Sequence, residues 1–431
     1  MPSAWLQRRP GRGGYSAGSE FSFAARIWHM DLKNPDTYAD GVPYAALAEL
    51  RRASPVHWNP ETDGAGFWSV LRHADIGEVS RNPAVFSSAF EHGGHRIFNE
   101  NEVAVANSGS SAIGIPFIST DPPLHREYRG IVQPGLGVAR IRAMEERLSA
   151  RLDSLLDALA GQDGEFDFVR ALAAPFPLVT LAELFGVPQA DSDRLYAWSN
   201  VMVGEDDPSI RPSPAEAAAR FGEMIDYASW IYEDRKRSPG DDMLSMLANA
   251  ELAGKPLGRA DFLGSFVLLL VGGNETTRNS ISHAMIAFTE FREQWARLRA
   301  DPALAGAAAR EIVRWASPVL HMRRTALVDT ALGGQAIRKG DKVVMWYCAG
   351  NRDESVYAKP DDFIIGREEP FHLGFGTGAH TCLGNRLAEV QIRLVFERLA
   401  QRFPDLHICG AGRRMRSNFI NGFLSLPARL R

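Results

Sequence analysis

Residues 371–388 read FHLGFGTGAHTCLGNRLA and set four glycines, Gly374, Gly376, Gly378 and Gly384, around one thiol, Cys382. Glycine loses more backbone freedom on folding than any other residue, so this crowding needs a reason. Beyond the thiol, Leu387, Val390, Leu394, Val395 and Leu399 recur at helical spacing, which places Cys382 just before the first turn of a helix. Amides at a helix N-terminus lower a thiol's pKa and donate to the thiolate. Two other readings compete. A lone cysteine is most often a small core residue. The run GFGTGA at 374–379 also satisfies the dinucleotide pattern G-x-G-x-x-A, but Phe371-His372-Leu373 is a poor strand and too little chain follows for further βαβ units.

A flat macrocycle lying almost against the backbone would explain the missing side chains at Gly376, Gly378 and Gly384 and the flat ring of Phe375 near the sulfur. Residues 375–384, FGTGAHTCLG, match the pattern F-G-x-G-x-H-x-C-x-G at every fixed position. On these residues the chain resembles the cytochrome P450 enzymes. The resemblance implies a mainly α fold with smaller β-sheets (α+β) in a single haem-containing body. It implies haem b (iron protoporphyrin IX), with the Cys382 thiolate as metal ligand and with Phe375, Gly376 and Gly384 against the macrocycle. A thiolate ligand favours cleavage of the O–O bond of bound dioxygen.

Upstream, residues 261–280 read DFLGSFVLLLVGGNETTRNS, an apolar helix interrupted by Gly272 and Gly273 and then by a polar cluster. Two interior glycines cost about 1 kcal/mol each relative to alanine, which folding alone does not ask for. Glu275 and Thr276, taken alone, would read as a surface acid and a hydroxyl bonded back to its own helix. GGNET fits the family motif A/G-G-x-D/E-T. The resemblance therefore implies that Gly272 and Gly273 leave room over the haem and that Thr276 orients protons delivered by Glu275.

Haem carries two carboxylates, and buried charges need partners. His125 and Arg129 stand four apart after a helix start expected at Thr120 or Asp121 with Pro122-Pro123, and they resemble the family's propionate clamp. The same resemblance adds His380 and Arg324, with Arg323 a rival by one position. Glu311 and Arg314, at i, i+3 spacing, would alone be a weak surface pair. The family carries an E-x-x-R pair here, structural in role and joined to a later arginine, for which Arg367 is the candidate.

The rest of the chain sets bounds. Its 431 residues carry a net charge of -4 with both signs interspersed, which gives no reason to expect nucleic acid as a partner. Residues 1–25 form an expected flexible tail without the apolar core of a signal peptide or membrane anchor, and residues 26–431 form the catalytic domain. Three cysteines, Cys348, Cys382 and Cys409, show no paired metal spacing and suit a reducing cytoplasm. Ile141, Met144, Leu148, Leu152, Leu155 and Leu159, closed by Gly161, predict one long helix. Strands are expected at 66–72 and from 331 to 347, with a turn at Lys339-Gly340-Asp341. The irregular stretch 87–118 is expected to face substrate.

GGNETTRNSISH, HMRRTALVD, IRKGDKVVMWY and CLGNRLAE look most like the bacterial alkane and fatty-acid terminal hydroxylases, with terpenoid and sterol side-chain branches related to them. Glu275 departs from the aspartate more usual in the alkane branch. The implied substrate is an apolar small molecule hydroxylated with dioxygen at an unactivated carbon. Leu268, Val271, Val319, Leu320 and Ile420, with Phe98 or Phe117, are expected to line its pocket. The implied electron donors are a ferredoxin and its reductase, fed by NAD(P)H, docking on a basic face that includes Arg126, Arg386 and Arg393. A monomer without a membrane anchor is expected. A haem-thiolate sensor or a peroxide-driven oxygenase would share the cysteine loop, but neither needs Glu275 with Thr276.

Overall fold

Apolar residues at helical spacing organise most of the chain, and eight helices position the site. In a computed structural model describing residues 30–97, 113–203, 206–369 and 371–431, these are α1 (His73–Arg81), α2 (Leu124–Val132), α3 (Val138–Ala160) and α4 (Pro175–Phe185). They continue with α5 (Ser192–Val203), α6 (Arg259–Glu290), α7 (Ala305–Ala316) and α8 (Asn385–Arg402). The expected tail over residues 1–25 and Phe98 lie outside the described residues.

In α3 the buried stripe is Ile141, Met144, Leu148, Leu152, Leu156 and Leu159. Leu156 takes the place expected of Leu155, because it lies one full i+4 step beyond Leu152. The helix ends at Gly161 in an ordinary right-handed conformation (φ -82). The start of α2 also differs from expectation. Neither Thr120 nor Asp121 caps it: the Thr120 hydroxyl donates to the Phe117 carbonyl, while the Asp121 carboxylate accepts from the Ser88 amide at 2.8 Å and from Ser87.

Residues 342–346, KVVMW, are buried throughout and form the middle strand of a five-stranded sheet. Its members are β1 (Val56–Asn59), β2 (Phe67–Val70), β3 (Phe86–Ser87), β4 (His321–Ala326) and β5 (Lys342–Trp346), ordered β1-β2-β5-β4-β3. Only β2 and β5 run parallel; the other pairs are antiparallel. A separate hairpin pairs Thr330–Leu332 with Gln335–Ile337 around Gly333 (φ +54) and Gly334 (φ +81). Strand β4 carries the basic sequence HMRRTA, which has little apolar alternation to announce it. Successive side chains point to opposite faces of a strand, so Arg323 and Arg324 diverge.

Helix α6, 32 residues long, is the axis of the fold and packs against α4, α5, α7 and α8. Phe262, Phe266, Leu270, Ile281, Met285 and Phe288 bury into the main core around it, as expected of a helix apolar on nearly every side. Among the described residues no helix is long and apolar enough to cross a membrane. The segment before the glycine-rich loop is no strand: His372 accepts from the Gly374 amide and caps a short 3-10 turn, Leu373–Phe375. That removes the strand which a dinucleotide site requires.

Candidate active site

The glycines of the cysteine loop do different jobs. Gly376 (φ +65) and Gly378 (φ +72) adopt left-handed backbone, and a Cβ on Gly378 would lie 2.4 Å from the Ser80 carbonyl oxygen of α1. A Cβ on Gly374 would press on Val313. These three glycines therefore answer to the protein's own packing. At Gly384 a Cβ would meet no protein atom within 4 Å, so only there does the loop keep a cradle that protein does not fill.

The Cys382 amide donates to the Phe375 carbonyl at 2.7 Å, which folds the loop so that the thiol stands at the head of α8. Cys382 is exposed, yet enough protein surrounds its thiol that desolvation raises its pKa. The Gly384 amide and the charge of Arg129 act in the opposite direction and favour thiolate.

Next to the thiol lies a cluster of cations and imidazoles. Arg129, half-buried, donates to the Thr381 carbonyl at 2.7 Å and forms no ion pair among the described residues. Arg324 is 3 % exposed and donates to the carbonyl of its own neighbour, Arg323. The rings of His125 and His380 lie 3.9 Å apart, with His125 Nδ1 and His380 Nε2 buried and unpartnered. Desolvation, then the charges of Arg129 and Arg324, hold His125 down to about 4. Desolvation, Arg324 and His125 press His380 strongly in the same direction. Arg323 turns the other way, donating to the His92 carbonyl and the Thr325 hydroxyl. A buried and a half-buried guanidinium without carboxylates are costly, and two orphaned imidazole nitrogens add to the cost. This donor set fits a ligand bearing two carboxylates, as haem does.

On α6, Gly272 is exposed and a Cβ there would meet nothing, whereas one on Gly273 would touch Leu181 of α4. The opening expected from both glycines belongs to Gly272 alone, because Gly273 packs helix on helix. Thr276, one turn on, donates from its hydroxyl to the Gly272 carbonyl at 2.9 Å. Glu275 does not face that side. It is 0 % exposed and ion-paired with Arg278, whose Nη1 donates to Asn200 of α5 at 3.4 Å. Burial raises the Glu275 pKa and Arg278 lowers it. At rest the carboxylate is thus committed to Arg278 and not to Thr276. Neither Arg278 nor Asn200 stands out in the sequence as a site residue. The i, i+3 spacing of Glu275 and Arg278 is the one signal that points to their pairing.

Glu311 accepts from Arg314 Nε at 2.7 Å and Nη2 at 2.8 Å, and from Arg367 Nε at 3.3 Å. Arg314 also donates to the carbonyls of Asn351, Pro360 and Asp362, and the Ile364 amide donates to Glu311. The Leu373 amide is held by Asn351 at 2.7 Å, which ties this ion-pair knot to the start of the cysteine loop.

The residues expected to line a pocket separate into two sets. Leu268 and Val271 are partly exposed on α6, and Val319 pairs with Ile420 in an isolated β-bridge. Leu320 points the other way and is 0 % exposed in a core with Phe67 and Trp346, since adjacent residues of an extended chain face opposite sides. Phe117 is likewise core, stacked on Tyr128 at 5.9 Å. Of the expected docking arginines, Arg126 and Arg386 are exposed, while Arg393 is paired with Glu145 and Glu397 and has little charge to offer.

Comparison with known proteins places this geometry. The family description Cytochrome P450 matches residues 78–429. A linalool 8-monooxygenase of Pseudomonas putida is 52% identical over 396 residues, covering 92% of this chain and 97% of that protein. A steroid C26-monooxygenase of Rhodococcus jostii is 39% identical over 401 residues, covering 91% and 83%. A Mycobacterium marinum cytochrome P450 solved in complex with pseudoionone superposes with a TM-score of 0.86 at 34% identity, covering 96% of this chain and 100% of that one.

Proposed function

The chain belongs to the cytochrome P450 family, and from that premise we propose that it hydroxylates an unactivated carbon of an apolar terpenoid-like molecule, using dioxygen and electrons from a ferredoxin. It is a P450 monooxygenase, and its cofactor is haem b with a cysteine thiolate as axial ligand. In our reading Cys382 is that ligand, and Arg129, Arg324, His125 and His380 hold the haem carboxylates. One observation carries this assignment: an accessible thiol at a helix head stands beside two secluded guanidinium groups that have no carboxylate partner among the described residues.

Haem so held supplies the activation of dioxygen, one oxygen atom going to the substrate and the other leaving as water with two protons and two electrons. The chain supplies position and protons. At rest the Thr276 hydroxyl proton lies on the Gly272 carbonyl, and rotation about χ1 would turn it into the open face of α6. Glu275 would recharge that hydroxyl after exchanging its Arg278 partner for a proton from solvent. Leu268, Val271, Val319 and Ile420 would confine an apolar substrate near Thr276 and keep water out.

Similarity to a linalool 8-monooxygenase and a steroid C26-monooxygenase, and to a P450 solved in complex with pseudoionone, supports a terpenoid-like substrate ahead of a linear alkane or fatty acid. Arg126 and Arg386, both exposed, would form part of the ferredoxin contact. Three cysteines without a disulfide among them support a reducing, cytoplasmic setting. Titration of the purified protein with acyclic terpenoids, steroids, alkanes and fatty acids tests the substrate class. A low- to high-spin change with micromolar terpenoids is expected; a change confined to linear chains would replace this substrate reading.

A further inference from the structure

A third imidazole is brought to β4, beside Arg324, from a distant part of the chain. Gly93 (φ +104) and Gly94 (φ +69) make a tight left-handed turn, closed by the Gly94 amide on the Ala89 carbonyl at 3.0 Å. The turn presents His95 to β4, where the Arg323 amide donates to the His95 carbonyl at 2.8 Å. Arg323 itself lies across Gly93, whose absent Cβ would fall 2.1 Å from its Nη2. With Arg323 drawn to that side, the adjacent Arg324 faces the histidines. His95 Nδ1 lies 2.8 Å from the buried Ser119 hydroxyl, so with Ser119 donating, the ring carries its proton on Nε2.

We propose that His95 is a further anchor of the haem carboxylates, donating from Nε2 with its tautomer set by Ser119. This rests on the haem reading given above. Charge and hydrogen bonding divide the work. Arg129 and Arg324 supply two positive charges for two carboxylates. The imidazoles, which desolvation and neighbouring arginines (Arg96 and Arg324 at His95, Arg129 and Arg324 at His125) keep neutral, supply directed N–H donors. The charge of Arg324 acts on His95, His125 and His380 alike, after Arg96 at His95 and after Arg129 at His125. A purely structural His95 would serve by packing, its ring 6.4 Å from that of Phe419, and any aromatic ring would do as well.

That difference supplies the test. Haem transfer from the purified holoenzyme to excess haem-scavenging apoprotein is timed for wild type, His95→Phe, His95→Gln and Ser119→Ala, with the propionate-bending bands read by resonance Raman. His95→Phe keeps the ring and loses the donor. It is expected to release haem about tenfold faster and to shift a propionate band, as loss of one hydrogen bond to a charged group implies. His95→Gln, which keeps an N–H donor, should stay within about threefold of wild type, and Ser119→Ala should fall between the two. If His95→Phe is too unstable to purify, the ordering and bands of the other two variants decide. The proposal is overturned if His95→Phe and wild type release haem equally with identical bands, or if Gln and Ala variants show neither the ordering nor a band change. A wild-type protein without a thiolate-haem spectrum would instead overturn the reading on which this one rests.

Discussion

Around Glu311, two arginines with buried side chains find everything they need inside the protein: a carboxylate shared between them and carbonyls for their remaining donors. Around His380, one buried and one half-buried arginine donate to carbonyls and form no ion pair among the described residues, the charge of Asp121 reaching Arg324 only from a distance, and two imidazoles beside them leave ring nitrogens unpaired. A closed ion-pair knot is a structural element, because removing one partner leaves a buried charge with nothing to balance it. An open cation cluster is half of a binding site. In our reading a dianion is what this cluster binds, and the two regions meet at Leu373, where Asn351 couples the knot to the loop bearing Cys382.

The sharpest way to break this contrast is to remove one member from each side. Glu311→Gln should destabilise the fold by about 3–5 kcal/mol in thermal unfolding, with or without haem, since Arg314 and Arg367 lose their shared anion. Arg324→Met should do the opposite in kind: haem-free protein keeps or gains stability, while haem binding weakens by about 1.5–3 kcal/mol, seen as faster haem transfer. Equal losses of apoprotein stability in both variants would erase the distinction.

Acid offers a milder probe. Desolvation, followed by Arg414, holds the His283 pKa down to about 3, against about 6.5 for an unfolded chain. Between those values the unfolded state binds the extra proton, so the stability tied to His283 is full above about pH 6.5 and is lost as pH falls toward about 3. His283→Gln should therefore flatten the pH dependence of unfolding by the same amount in loaded and haem-free protein. The share of His125, held at about 4, should shrink on loading, because carboxylates nearby favour its charged form. The smallest effect concerns substrate. Val271→Phe should shift the partition between hydroxylated products by on the order of 1 kcal/mol, measured by product analysis, and unchanged ratios would remove Val271 from the pocket.

The cysteine loop and the interrupted helix are legible in the amino-acid sequence because their chemistry asks for residues that folding disfavours: glycines in series, and Glu275 with Thr276 after an apolar run. Strand β4 is not, since Arg323 and Arg324 carry no apolar alternation and their strand is made by long-range pairing with β5. For the same reason nothing in the sequence connects His95 with Arg324. Direction is the other hidden quantity. Helical spacing allows Glu275 to serve Thr276 or Arg278, and the buried ion pair settles its resting partner. Leu320 and Val319 look equivalent as neighbours in the chain, but the extended backbone turns Leu320 into the opposite core.

The proposed ligation of haem by the ionised sulfur of Cys382 is the bond on which our reading of the site depends. Carbon monoxide added to the dithionite-reduced protein measures it directly. The expected result is the red-shifted Soret band of a thiolate complex in wild type and its loss in Cys382→Ala. A wild-type spectrum without that band, or a variant that keeps it, would contradict the assignment.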